Sequence, residues 1–283
     1  MGLFGFGGRA ASLPDFTALS VEQALDQLRA LSLPRRNRAV ASVLYSARAR
    51  PAALEEQIAL FDQIAALPDI AAHHRANARI ARTHKALELG DADRLSDGMA
   101  PLLALRDEIA SFSASDDIRQ DRCHVGFSRL YVALNAALMT RDRALVADLV
   151  EEAQANCRDH LATSLPGGFY RSSANVMRCL AFALISGRHA ADASRAEIAE
   201  LAQKVYASAL DKRPPAAHRR KDRKVSSGIA MPDAEFMRTA ALAQLLTSWA
   251  EGADLAAPIG RLAVAQRTEA QRDRLLTCWT ALT

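Results

Sequence analysis

The chain has 283 residues, half of them apolar and only 5% aromatic, with a formal net charge of +4 at neutral pH. Alanine supplies much of the apolar content and long strand-like runs are missing from the sequence, which argues against a sheet-based fold. No stretch approaches the length of a membrane span, and the apolar part of the segment before Arg9 is too short for a signal peptide. We therefore expect a cytoplasmic protein.

Residues 1–16 are rich in Gly and Phe and are predicted to form a mobile leader. Three helices are predicted to follow, and they run from Ser20 to about Ser32, from Pro34 to about Arg48, and from Pro51 to Pro68. The first begins with a capping box, in which Ser20 is followed three residues later by Gln23. The second and third begin at proline, which is favoured in the first turn of a helix.

Pairs of Ala-rich helical stretches, separated by short breaks, make up the rest of the chain. The pairs cover 69–89 with 91–112, 116–140 with 142–164, 170–186 with 192–211, and 233–250 with 257–281. Stacked helical hairpins bury one another rather than a central core. The pattern predicts an all-α solenoid of about five stacked hairpins plus an N-terminal helix, forming one domain over 17–283.

This layout resembles the tetratricopeptide-like superfamily of helical repeats over most of residues 34–281. Pro68 and Pro166, which close two hairpins, match the terminal proline of that family. The resemblance is one of architecture, since the Trp-x2-Leu-Gly-x2-Tyr signature of the family does not occur here. It implies a right-handed stack whose first helices line a concave, peptide-binding groove.

Residues 212–231 interrupt the helical pattern and are predicted to be a basic loop insertion. Seven bases and one acid lie between residues 212 and 224, so the rest of the chain carries a net negative charge. The bases expected to contact a partner are Arg219, Arg220, Lys221, Arg223 and Lys224. Because the loop has no interleaved aromatic residues, it could bind nucleic acid only through the phosphate backbone.

Charge also separates the two helices of each hairpin. The first helices are net positive and the second helices are net negative, with acids such as Glu55, Glu151 and Glu200. Three rows on first helices have the spacing i, i+4, i+7, and they are Arg75, Arg79 and Arg82; Arg122, Gly126 and Arg129; and Arg171, Asn175 and Arg178. Each row shares one helix face.

Parallel first helices would set these rows side by side as a basic patch about 20 Å wide. Guanidinium groups arranged in this way suit carboxylates or phosphates. In this interpretation the arginine heads are solvated, and the acids of the second helices lie away from the groove. The alternative is that the rows are ordinary faces whose heads pair with acids of neighbouring helices.

Catalytic and metal-binding patterns are weak. Cys157 with His160, and Cys123 with His124, could be imagined as metal ligands, but no motif fixes a set of four, so we expect neither metal nor cofactor. Aspartates spaced i, i+4 could hold Mg²⁺ against a diphosphate, as in helical prenyl-transferring synthases. They are Asp93 and Asp97, and Asp117 and Asp121 beside Asp116. Both rows open helices, where aspartate is favoured without any catalytic role.

The sequence thus predicts a non-catalytic scaffold or adaptor whose partner is an acidic peptide, an acidic protein or a phosphate-bearing molecule. A nucleic-acid-binding repeat protein is the second hypothesis, and a helical enzyme that uses a prenyl diphosphate is the third.

Overall fold

The computed structural model describes residues 13–112, 122–140, 142–162 and 251–264, with parts of 196–204 and 241–249. Within these ranges the regular elements are all helices, and no β-strand occurs, as the all-α prediction requires. The α-helices are α1 (Val21–Ala30), α2 (Leu33–Tyr45), α3 (Leu54–Ala66), α4 (Ala72–Leu89), α5 (Ala92–Ala110), α6 (Arg122–Met139), α7 (Arg143–Ala162) and α8 (Ala256–Val264). The first twelve residues of the leader, the predicted helix over 170–186 and the basic loop lie outside the described residues.

The chain divides into two compact units, Met1–Gly98 and Met99–Thr283. The boundary falls inside α5, which is continuous from Ala92 to Ala110. Because a helix runs through the boundary, this division does not test the prediction of one domain over 17–283. The stack of five hairpins and its right-handed sense also stay predictions.

The first unit is built from pairs of helices that stack on one another. Helices α3 and α4 pack most extensively, α1 contacts α3, and α2 contacts α4. Their apolar faces meet in a core that includes Leu28, Val40, Phe61 and Ile64. Phe16 is also buried there, at 1% exposure, so the predicted mobile leader ends before this residue.

Polar side chains satisfy the backbone groups that helix ends leave without partners. The capping box of α1 is confirmed. The backbone N–H of Gln23 donates to Ser20 Oγ at 3.2 Å, and the backbone N–H of Ser20 donates to Gln23 Oε1 at 3.0 Å. Gly90 ends α4 in the left-handed conformation, with φ of 76°. A residue with a side chain would be strained at this position, which explains why the helix ends at glycine. The predicted break at Gly90 is confirmed.

Replacing Ser20 with Ala should lower the free energy of unfolding by about 1 kcal/mol, because the backbone N–H of Gln23 loses its acceptor. Ser32 is the matched control, since it occupies the N-cap position of α2 but makes no capping hydrogen bond from its side chain. Ser32→Ala should change stability by less than about 0.5 kcal/mol. Urea unfolding of the two variants makes the comparison, and equal losses would mean that the capping bond contributes nothing.

Candidate functional site

Two arginines of the predicted row on α4 bind groups of neighbouring segments of the chain. Arg82 donates from Nε to Asp62 Oδ1 of α3 at 3.2 Å and from Nη1 to the carbonyl oxygen of Arg94 in α5. Its side chain is only 15% exposed. Arg75 donates from Nη2 to the carbonyl oxygen of Pro68 at 3.1 Å, in the segment before α4. The guanidinium groups of both residues therefore bind protein atoms.

The row on α6 behaves in the same way. Arg129 forms a two-pronged ion pair with Glu152 of α7, with N–O distances of 2.9 Å and 3.1 Å. Its Nε donates to the carbonyl oxygen of Leu102 in α5 at 3.1 Å, and Nη2 donates to that of Leu103 at 3.4 Å. The Arg129 side chain is 2% exposed, which makes it one of the largest fully buried side chains among the described residues.

The expectation of solvated arginine heads is wrong for Arg82 and Arg129. Each guanidinium group joins a first helix to a carboxylate on one second helix and to backbone carbonyls on another. For these two residues, pairing with acids of neighbouring helices is the correct description. Asp62 and Glu152, two of the acids on second helices, are thus the acceptors of these guanidinium groups.

A cleft of 590 Å³ lies beside Arg129 in the second unit, between α5 and α7. Gly126 of α6 forms part of its floor, since a Cβ atom there would lie 3.6 Å from Asn156 Nδ2 and 3.8 Å from Ile109 Cγ2. The charged residues that line the cleft are Arg106 from α5, Arg122 and Arg129 from α6, and Asp148, Glu151 and Glu152 from α7.

Positive and negative charges balance in this cleft. Arg129 and Glu152 neutralise each other. Arg106, Asp148 and Glu151 are exposed, and within the part of the chain that the structure describes none of the three has an ion-pair partner. Arg122 is half-buried in the lining. The cleft therefore presents one exposed guanidinium group, from α5, and two exposed carboxylates, from α7.

One of the three predicted rows lies along a single cleft in the structure. Arg122, Gly126 and Arg129 all line the cleft, which confirms that they share a face. Arg75, half-buried Arg79 and Arg82 share α4, which belongs to the first unit. The third row, Arg171, Asn175 and Arg178, and the loop bases Arg219, Arg220, Lys221, Arg223 and Lys224 lie outside the described residues.

Several residues of the cleft were not among those predicted to bind a partner. Arg106, Asp148 and Asn156 are new, and Glu151 was expected to lie away from the groove but lines the cleft instead. Their spacing offered a signal, because positions 148, 151, 152 and 156 fall on one face of a helix. Spacing alone does not show that this face borders a cleft, because that depends on how α7 packs on α6.

A second charged cluster surrounds Glu88 at the end of α4. Glu88 accepts from Lys85 Nζ at 2.5 Å and lies 3.7 Å from His84 Nε2. Burial lowers the pKa of Arg50, whose guanidinium carbon is 5.7 Å from the centre of the Phe61 ring, while the charge of Glu88 raises it.

The acidic row on α5 gains no support, and the side chains of the possible metal ligands Cys123, Cys157 and His160 lie outside the described residues. Asp93 and Asp97 are exposed in the first turns of α5, and Asp116, Asp117 and Asp121 lie outside the described residues. In the described part of the chain, no group of three or more His, Cys, Asp and Glu side chains comes together in a way that could hold a metal ion.

None of the helices among the described residues combines the length and the apolar character needed to cross a membrane. Comparisons with protein-family models, with curated proteins and with solved structures found no match.

Proposed function

We propose that the protein is a non-catalytic helical-repeat scaffold or adaptor, and that the cleft bounded by α5, α6 and α7 holds an acidic group of a protein partner. The observation that carries the proposal is the pair Arg106 and Arg122 in the lining of one cleft. Arginine binds carboxylates through two parallel hydrogen bonds, and exposed Arg106 has no ion-pair partner among the described residues.

The size and construction of the cleft support the same proposal. Its volume of 590 Å³ lies within the range of about 300–1,000 Å³ that is usual for binding sites. The walls belong to helices, and the Arg129–Glu152 pair joins two of these helices beneath the cleft. Because Arg129 is buried and paired, we assign it the role of holding the walls and leave partner contact to Arg106 and Arg122.

The carboxylates of α7 favour a protein group over nucleic acid at this position. A phosphate backbone binds best to a surface of uniform positive charge. Asp148 and Glu151 would repel it. Nucleic-acid binding therefore remains a proposal for the basic loop, and partner contacts by the α4 row and by Arg171, Asn175 and Arg178 remain predictions.

Photo-crosslinking tests the proposed site. A photoreactive amino acid at Ala155, which lines the cleft, should give a protein adduct in cells of the source organism. The same amino acid at Ala147, which is exposed on α7 but is not part of the lining, is the matched control and should give little adduct. Arg106→Glu should reduce the Ala155 adduct by about tenfold, the loss expected for one charge-assisted hydrogen bond.

Three results would contradict the proposal. Adducts of equal yield at Ala147 and Ala155 would show that the cleft is not selective. An adduct that disappears on nuclease treatment would identify nucleic acid as the ligand. An adduct that is unaffected by Arg106→Glu would remove the arginines of the cleft from recognition.

A further inference from the structure

We infer that the cleft recognises a polypeptide segment carrying both an acidic and a basic side chain, and that it discriminates against a purely acidic segment. This inference rests on the proposed function and specifies the chemistry of the partner. Its basis is the juxtaposition of Arg106 and Arg122 with Asp148 and Glu151 in a single cleft.

The two signs of charge come from different walls. Arg106 projects from α5, whereas Asp148 and Glu151 are one turn apart on α7. Gly126 lies between the walls, close to Ile109 of α5 and Asn156 of α7. Because it has no side chain, it leaves space at the bottom of the cleft. A segment lying in the cleft would therefore meet the guanidinium group of Arg106 from α5 and the carboxylates of Asp148 and Glu151 from α7.

The carboxylates of α7 are not neutralised within their own helix. Asp148 lies three residues from Glu151 and four from Glu152, so the nearest charged neighbours on this face are also acidic. Like charges at these spacings destabilise a helix. Glu152 is compensated by Arg129, but Asp148 and Glu151 have no ion-pair partner among the described residues. A basic group on the partner would supply the missing counter-charge.

The same carboxylates exclude a uniformly acidic partner. An acidic group that reaches Arg106 must bring its neighbours close to Asp148 and Glu151. Like charges placed together across an interface are costly, and such repulsion is a common source of specificity. The cleft thus distinguishes segments by the order of acidic and basic side chains along them, and not only by whether an acidic side chain is present.

Three fluorescent peptides of equal length provide the test: repeats of Glu-Ala-Ala-Ala-Lys, the same repeats with Glu in place of Lys, and the same repeats with Lys in place of Glu. Anisotropy at low salt measures their binding to the full chain. Because the bases at 212–224 can bind an acidic peptide elsewhere, the informative quantity is the change that each cleft variant causes.

We expect Arg106→Glu to weaken the mixed peptide by about tenfold. The double variant Asp148→Lys with Glu151→Lys should weaken the mixed peptide to a similar extent and should tighten the purely acidic peptide. Ala147→Lys, which adds positive charge to α7 outside the lining, should change neither by more than about twofold. If the lysine pair disturbs folding, Asp148→Asn with Glu151→Gln provides the same test without added charge.

Different results would contradict this inference and the proposed function. If Arg106→Glu weakens binding but the Asp148 and Glu151 variants leave both peptides unchanged, the cleft binds acid alone and the inference is wrong. If none of the cleft variants changes the binding of any peptide, both proposals are wrong.

Discussion

Replacing Arg129 with Ala should lower the free energy of unfolding of the second unit by about 3–5 kcal/mol, the cost of breaking a buried ion pair from one side. The substitution leaves Glu152 with an uncompensated charge at 14% exposure. It also removes the donors to the carbonyl oxygens of Leu102 and Leu103. Urea unfolding monitored by circular dichroism measures the loss.

Arg106→Ala is the matched control, because Arg106 lines the same cleft but is exposed. It should change stability by less than about 0.5 kcal/mol. The double variant Arg129→Ala with Glu152→Ala should be more stable than the sum of the two single losses predicts, since the charges are removed together. A loss below about 1 kcal/mol for Arg129→Ala would show that its guanidinium group is solvated in the protein.

Replacing Gly98 with Ala should cost about 2 kcal/mol, even though alanine favours helices. A Cβ atom at Gly98 in α5 would lie 2.6 Å from Arg82 Nη1 and 2.7 Å from Thr83 Oγ1. Arg82 cannot swing away freely, because it is bound to Asp62 and to a carbonyl of α5. Thr83 is 1% exposed, and its branched side chain has few alternatives.

Gly126 provides the comparison, because it also lies inside a helix but has ordinary contact distances of 3.6 Å and longer around the same hypothetical atom. Gly126→Ala should be neutral or should stabilise the protein by up to about 1 kcal/mol through helix propensity. Thermal unfolding of both variants tests the pair. A gain in stability for Gly98→Ala would mean that α4 and α5 lie further apart than in the structure.

Local signals in the sequence predicted several helix ends correctly, but α3 begins at Leu54 rather than at Pro51 as predicted. The capping box at Ser20, the proline near the start of α2 and the left-handed Gly90 each act within a few residues, and all three have the predicted chemistry. Composition alone did not predict the position of Phe16. The segment over 1–16 is rich in Gly and Phe, but its last residue is buried in the core.

The direction of the arginine rows could not be predicted in the same way. Helical spacing shows which residues share a face, but it does not show which neighbouring helix that face meets. Arg82 and Arg129 face acids on second helices rather than an open groove. The unequal charge of first and second helices contained this information, since each buried guanidinium group requires an acceptor nearby. The cleft itself depends on the packing of three helices, which no local pattern specifies.

Hydrogen exchange of arginine Nε–H groups tests most directly whether Arg82 and Arg129 join neighbouring helices. Protein labelled with ¹⁵N-arginine gives these signals, and Arg→Lys variants assign them. At mildly acidic pH, Arg129 and Arg82 should exchange at least about tenfold more slowly than Arg106, because their Nε–H groups donate to the carbonyl oxygen of Leu102 and to Asp62, respectively. Exchange of all three at the same rate would contradict the account.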